Sequence, residues 1–327
     1  EADLPPITRA FEVYKRERQG VLPDVPFQML TALELDSNAW AQIAREGSWQ
    51  QVRQNLNTFQ RHGVLDKSKN IQMIANKLRD PQAIARARAL PYQLLTAFQA
   101  TDDKMPHAIR EALQDAMEYA VNNVPKLAGK VVVCPDVSGS MSSSVTGYRG
   151  SVSSKTRCID VAALVAAAVL RHNPSARVLP FETVTVNIAL NPRDSIMTNS
   201  EKLARIGGGG TACSAPLALL NREKAPVDLL IMVSDNESWA DREQHWGSKT
   251  SLMKEWQVLK QRCPQAKLVC LDIQPYTTAQ AQNRSDILNI GGFSDHVFSL
   301  IGEFAQNGMS ADFWVNEIEK IALPTVQ

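Results

Sequence analysis

The 327-residue sequence predicts an α + α/β protein, with helical repeats first and a doubly wound, mostly parallel sheet after them. Three observations carry this expectation. Apolar residues recur at helical spacing up to about residue 127, strands alternate with helices from residue 128 onward, and the strands are continuous apolar runs such as VVVC, LLIMV and LVCL. Two domains are therefore expected, 1–127 and 128–327.

In the helical part the spacing predicts helices over Thr8–Gly20, Pro26–Leu35, Ser37–Glu46, Trp49–His62, Lys67–Leu78, Pro81–Leu90, Pro91–Phe98 and Pro106–Asn122. Ile109, Leu113, Ala116, Met117 and Ala120 show the period, one apolar stripe per helix. Prolines fall at first-turn positions, where a missing N–H is no loss. The segments VPFQMLTAL (Val25–Leu33) and LPYQLLTAF (Leu90–Phe98) match at five of nine positions, 65 residues apart. An echo at about the length of a double helical hairpin is the signature of stacked repeats. Two units are few for a solenoid and the chain begins at Glu1, so the helical part reads as incomplete.

From Gly129 the expected strands are Lys130–Cys134, Arg177–Glu182, Thr185–Leu190, Asp228–Ser234, Lys267–Ile273 and His296–Phe298. Helices are expected at Ile159–Arg171, Ser200–Arg205, Ser214–Leu220, Ser251–Arg262 and Ala311–Ile321. Thr185–Leu190 follows its neighbour almost at once and is expected to close an antiparallel edge hairpin. Strands buried on both faces need a parallel sheet covered by helices.

Composition narrows the class. Net charge is +1, so any nucleic-acid contact needs a local patch. No apolar run approaches the roughly 18–20 residues of a membrane span, and no basic-then-apolar signal segment is present. Cys134, Cys158, Cys213, Cys263 and Cys270 form no C-x-x-C pair, so buried reduced thiols of a cytoplasmic protein are expected. Trp40, Trp49 and Trp256 read as core, and His62 and His107 as surface or capping residues.

The chemistry lies beyond the carboxyl ends of the strands, where parallel sheets bind ligands. The first strand ends in CPDVSGS, the fourth in VSDNES, and between them IGGGGTACS carries Thr211 after four glycines. Asp136, Ser138, Ser140, Thr211 and Asp235 thus converge on one rim. Oxygen donors without imidazole or thiolate suit Mg2+, Mn2+ or Ca2+ rather than zinc or copper. Other readings fit less well. A phosphate-binding loop needs a lysine after its glycines, a hydrolase elbow needs G-x-S-x-G, and an aspartyl-phosphate enzyme wants an acid where Ser138 stands. A simple helix cap accounts for the first loop alone but not for three oxygen-rich loops together. No general base or nucleophile stands with them, so a binding device is expected rather than an enzyme.

DVSGSM, the threonine of the glycine loop and SDNE resemble the metal-ion-dependent adhesion site of a von Willebrand factor A domain. That resemblance implies Ser138, Ser140 and Thr211 as direct or near-direct ligands, Asp136 and Asp235 as ligands mostly through water, and one open position for a partner's acidic group. GGGGTACSAPL, VSDNESWA, the Pro-aromatic helix starts and the long loop SSSVTGYRGSVSSKTRCIDVAAL extend the likeness. Together they resemble the TROVE module of the Ro autoantigen family, most of all its bacterial members. The resemblance implies HEAT-like repeats closed into a ring by the A domain. It further implies binding of Y RNAs and of structured or defective RNA ends, and a link to exoribonucleases. The chain would be the C-terminal portion of such a protein.

The residues themselves offer a modest RNA signal. Residues 1–128 carry 16 Lys/Arg against 15 Asp/Glu. Locally, Lys67, Lys69, Lys77, Arg79, Arg86 and Arg88 stand against two acids between Asp66 and Arg88, and YKRER (Tyr14–Arg18) is a second cluster. Such a patch supplies salt-sensitive phosphate contacts. The expectation is a non-catalytic ribonucleoprotein component with a cation that docks a partner. The alternative is an adhesion or scaffold module that binds no RNA. The loop Ser142–Thr156, rich in serine and glycine, is expected to be mobile.

Overall fold

The computed structural model describes residues 4–147, 154–235, 251–274, 281, 284–294, 296–307, 315 and 318–319. The chain forms two compact units: Glu1–Ala89 with Leu94–Ala120, and Leu90–Gln93 with Val121–Gln327.

The first unit is helical. Its helices are α1 (Pro6–Glu17), α2 (Phe27–Thr31), α3 (Ser37–Glu46), α4 (Trp49–Gln54), α5 (Leu56–Arg61), α6 (Ser68–Leu78) and α7 (Pro81–Arg86), followed by α8 (Pro91–Ala100) from Leu94 onward and α9 (His107–Ala120). The stripe Ile109, Leu113, Ala116, Met117 and Ala120 of α9 is fully buried. The expected helix Trp49–His62 is broken in two. Asn55 leaves the helical conformation and its amide donates to Gln51 O at 2.8 Å, a local alternative to continuing the ladder. Of the two echoing segments, the first keeps only five helical residues while the second runs through Ala100. Trp40 and Trp49 are buried, and Trp49 Nε1 donates to Leu78 O at 3.0 Å, tying α4 to the end of α6. His62 is exposed and stacks on Trp40, with ring centroids 5.2 Å apart.

The second unit is a five-stranded parallel sheet: β1 (Val131–Pro135), β2 (Arg177–Val178), β3 (Leu229–Ser234), β4 (Lys267–Asp272) and β5 (Ile287–Gly291), in the order β2-β1-β3-β4-β5. Helices α10 (Cys158–His172), α11 (Ile196–Ala204), α12 (Ala215–Glu223), α13 (Ser251–Arg262) and α14 (His296–Asn307) complete it. β1 and β3 are buried along their whole length, as both-faces-covered strands require. The odd residues Val131 and Val133 alternate with Val132 and Cys134. The latter two join Leu230, Met232, Leu268, Cys270 and Trp256 in one apolar cluster.

Three expected strands need correction. Arg177–Glu182 is ladder only at its start, because Pro180 has no N–H to donate, a tolerable break at a sheet edge. Leu179 and Phe181 still donate to Val133 O and Pro135 O. Thr185–Leu190 is not a strand: a single antiparallel bridge, Phe181 to Thr185, is made, and the segment has no buried residue to hold it to a sheet. His296–Phe298 opens helix α14 instead, because Val297, Phe298, Ile301 and Phe304 recur at helical spacing and are buried. The fifth strand, ILNIG, was not expected.

None of the five cysteines is in a disulfide, and four of them are buried. Among the described residues no helix is long and apolar enough to cross a membrane. Residues 148–153 of the Ser142–Thr156 loop, Asn236 to Ala240 of the VSDNESWA motif, and most of the expected helix Ala311–Ile321 lie outside the described residues.

Candidate metal centre

β1 delivers Asp136 one residue past its end, fully buried. Asp136 N donates to Val233 O at 2.8 Å, which extends the ladder and holds the carboxyl at the rim. Its Oδ1 accepts from Ser138 N at 2.8 Å and its Oδ2 accepts from Ser234 Oγ at 2.7 Å. Burial pushes the Asp136 carboxyl up to about 6, against the pull of these hydrogen bonds, and the charge of Asp235 adds to the rise.

The hydroxyls form a chain. Thr211 Oγ1 donates to Ser138 Oγ at 2.9 Å, and Ser138 Oγ lies 3.2 Å from Ser140 Oγ. Ser138 and Thr211 are buried. The glycine run makes this possible: Gly208 N donates to Val137 O and Gly209 O accepts from Gly139 N, both at 3.1 Å. Gly209 has φ +73°, and a Cβ there would collide with the Glu182 carboxylate. Only glycine brings Thr211 this close to the first loop.

Asp235 follows β3 and is 2 % exposed. Asp136, Ser138, Ser140, Thr211 and Asp235 are therefore gathered at the carboxyl end of the sheet, as the three loops were expected to bring them. Two further side chains, Ser234 and Asp272, were missed. The signal was available: each is a polar residue closing a buried apolar strand, LLIMVS and KLVCLD. Asp272 is 5 % exposed, and burial, with the charge of Asp235 beside it, pushes its carboxyl up to about 7.

These residues fit a hard divalent cation. An octahedral Mg2+ with bonds of about 2.1 Å separates adjacent ligand oxygens by about 3.0 Å. The Ser138–Thr211 and Ser138–Ser140 spacings of 2.9 and 3.2 Å bracket that edge. Among the described residues no group of three or more His, Cys, Asp or Glu is placed to hold a metal ion, so a cation here would depend on the hydroxyls.

The basic residues of the helical unit divide. Lys67, Lys69, Arg86 and Arg88 are exposed. Lys77 is half-buried, and its Nζ donates to Ala44 O, Arg45 O and Gly47 O at 3.2, 2.6 and 2.9 Å. It satisfies orphan carbonyls at the end of α3, a structural duty. Desolvation lowers its pKa. Arg79 faces Asp115 at 3.6 Å. Lys77 and Arg79 are thus engaged within the unit, while the other four cations stand in solvent.

A parallel sheet flanked by helices, with a D-x-S-x-S loop, a glycine-borne threonine and an aspartate at its carboxyl rim, defines a von Willebrand factor A type domain. A family model described as the Ro60 vWA domain matches residues 130–305, and the chain belongs to this family. The chain is similar to RNA-binding protein RO60 of Deinococcus radiodurans, 27% identical over 266 residues that cover 77% of this chain and 48% of that protein. RNA-binding protein RO60 of Caenorhabditis elegans is 25% identical over 253 residues, 74% of this chain and 38% of that protein. The crystal structure of the Deinococcus radiodurans RO (RSR) protein shares the fold at TM-score 0.71 and 21% identity, over 92% of this chain and 60% of that one. The chain spans half or less of the length of these curated relatives.

Proposed function

We propose that this chain binds RNA as a ribonucleoprotein component. The observation that carries the reading is the Ro60 domain match over residues 130–305, in a chain whose relatives are named RNA-binding proteins. Structured or defective noncoding RNA, including Y RNA, is the ligand class, and Lys67, Lys69, Arg86 and Arg88 contribute phosphate contacts from exposed positions. The protein is cytoplasmic and non-catalytic.

The rim holds Mg2+ or another hard divalent cation in the same reading. Ser138, Ser140 and Thr211 bind it directly, and Asp136 and Asp235 act through water. When bound, the cation would supply one position for an acidic group on a partner such as an exoribonuclease. Ser234 holds the Asp136 carboxylate in place, and the glycine run keeps Thr211 within reach of Ser138.

A gel-shift titration with a structured RNA bearing a single-stranded tail, run across salt, tests the reading. Reversing Lys67, Lys69, Arg86 and Arg88 to Glu is expected to weaken binding and to lower the log–log salt slope by about 3, at roughly 0.7 per contact. Asp136→Ala is expected to leave RNA binding intact. Unchanged affinity and slope in the reversal variant would remove RNA from these helices. Loss of partner binding in Asp136→Ala and in chelator, with no RNA bound by wild type, would make the chain an adhesion module.

A further inference from the structure

Asp272 stands outside the five motif residues, yet the sheet aims it at them. β3 and β4 pair Ser234 with Asp272, while β1 and β3 pair Pro135 with Val233, which sets Asp136 opposite Ser234. Residues paired across parallel strands share a face of the sheet. Asp136, Ser234 and Asp272 therefore form one row at the carboxyl edge, and the 2.7 Å bond from Ser234 to Asp136 confirms the first half of it.

Asp272 is 5 % exposed, and its Oδ1 is buried with no hydrogen-bond partner. A buried carboxylate oxygen without a partner is costly, and such groups persist where something outside the bare chain compensates them. Among the described residues the neighbours do not do so. The face below Asp272 in the row is apolar, with Met232, Cys270 and Leu268 in the core cluster. Its charged neighbour is Asp235, which is itself an acid.

We propose that Asp272 is a sixth residue of the cation site, an outer carboxylate that accepts a hydrogen bond from water on the cation and thereby orients it. This rests on the cation reading above. Carboxylates one step beyond the direct ligands hold coordinated groups in orientation, and their removal typically costs about 10–100-fold in metal affinity. In metal-free protein Asp272→Asn relieves an unpaired buried charge, so the melt holds or rises, whereas loss of a residue with only a structural role lowers it.

The test uses Mn2+ as the probe, counted by electron paramagnetic resonance of the free ion, on the full chain. Wild type, D136N, D272N and D272S are titrated below the melting temperature each shows in chelator. The expected result is binding by wild type, none by D136N, and about 10–100-fold weaker binding by both Asp272 variants, with metal-free melting equal to or above wild type. No binding by wild type would overturn the cation reading itself. Binding by wild type and by D272N and D272S alike, with D136N dead, would overturn the role of Asp272 and leave the cation reading standing. A metal-free melt of both Asp272 variants well below wild type, with Mn2+ affinity retained, would make Asp272 a fold residue and would also overturn the proposal.

Discussion

The two units of this chain treat charge in opposite ways. In the helical unit Lys67, Lys69, Arg86 and Arg88 sit in solvent, and Lys77, drawn inward, is matched to three carbonyls. In the sheet unit Asp136, Asp235 and Asp272 are buried within one rim, 0, 2 and 5 % exposed. Exposed charges are nearly neutral to stability, whereas buried carboxylates close together raise the free energy of the bare fold. The buried set therefore marks the site more sharply than the exposed one, and the exposed set is the easier to alter without harm to the fold.

The largest expected effect is at the glycine run. Gly209→Val forces a branched side chain into the left-handed region and into the Glu182 carboxylate, and a loss of about 3 kcal/mol, at the top of the range for such strain, is expected in denaturant unfolding. Mn2+ binding should fall with it, because Thr211 moves. A variant that melts like wild type would show that the run is not under this constraint.

Next comes Lys77→Met in the helical unit. Three bonds from an ammonium to carbonyls are lost, and a destabilisation of about 2 kcal/mol is expected, set by hydrogen bonds to a charged group. The salt slope of RNA binding should not move. A lowered slope would return Lys77 to the patch.

The rim makes metal-free stability depend on pH. The folded Asp136 and Asp272 titrate at about 6 and about 7, while unfolded carboxylates titrate near 4. Between about pH 4 and pH 7 the unfolded chain has released protons that the folded chain still holds. Stability in chelator is therefore full at the low end and falls as pH rises through that window. Thermal melts in chelator at pH 5 and 7.5 check the direction, and D136N should shrink the fall. Smallest of all, Lys69→Glu or Arg86→Glu should change stability by no more than about 0.5 kcal/mol, while weakening RNA in the gel shift.

Period and composition sufficed for the helix α9 stripe, the apolar strands β1, β3 and β4 and the three loops that carry Asp136, Ser138, Ser140, Thr211 and Asp235, because these depend on neighbours close in sequence. The edge was misjudged where Pro180 interrupts pairing and where the segment from Thr185 has nothing to bury. Helix α14 carries its own signal, Val297, Phe298, Ile301 and Phe304 at helical spacing, which extends beyond the three residues expected as a strand.

Other assignments needed distant residues in one place. Lys77 looks like any surface cation until the end of α3, some thirty positions upstream, is laid against it. Asp272 looks like the polar end of a strand until the register sets it beside Ser234 and Asp136 from two other strands. Local chain chemistry was enough to say which residue types would meet at the rim, since short loops expose their own hydroxyls and carboxylates. Which charges are buried, and which are already satisfied, follows from packing between segments far apart in the chain, and that information exists only once the core has formed.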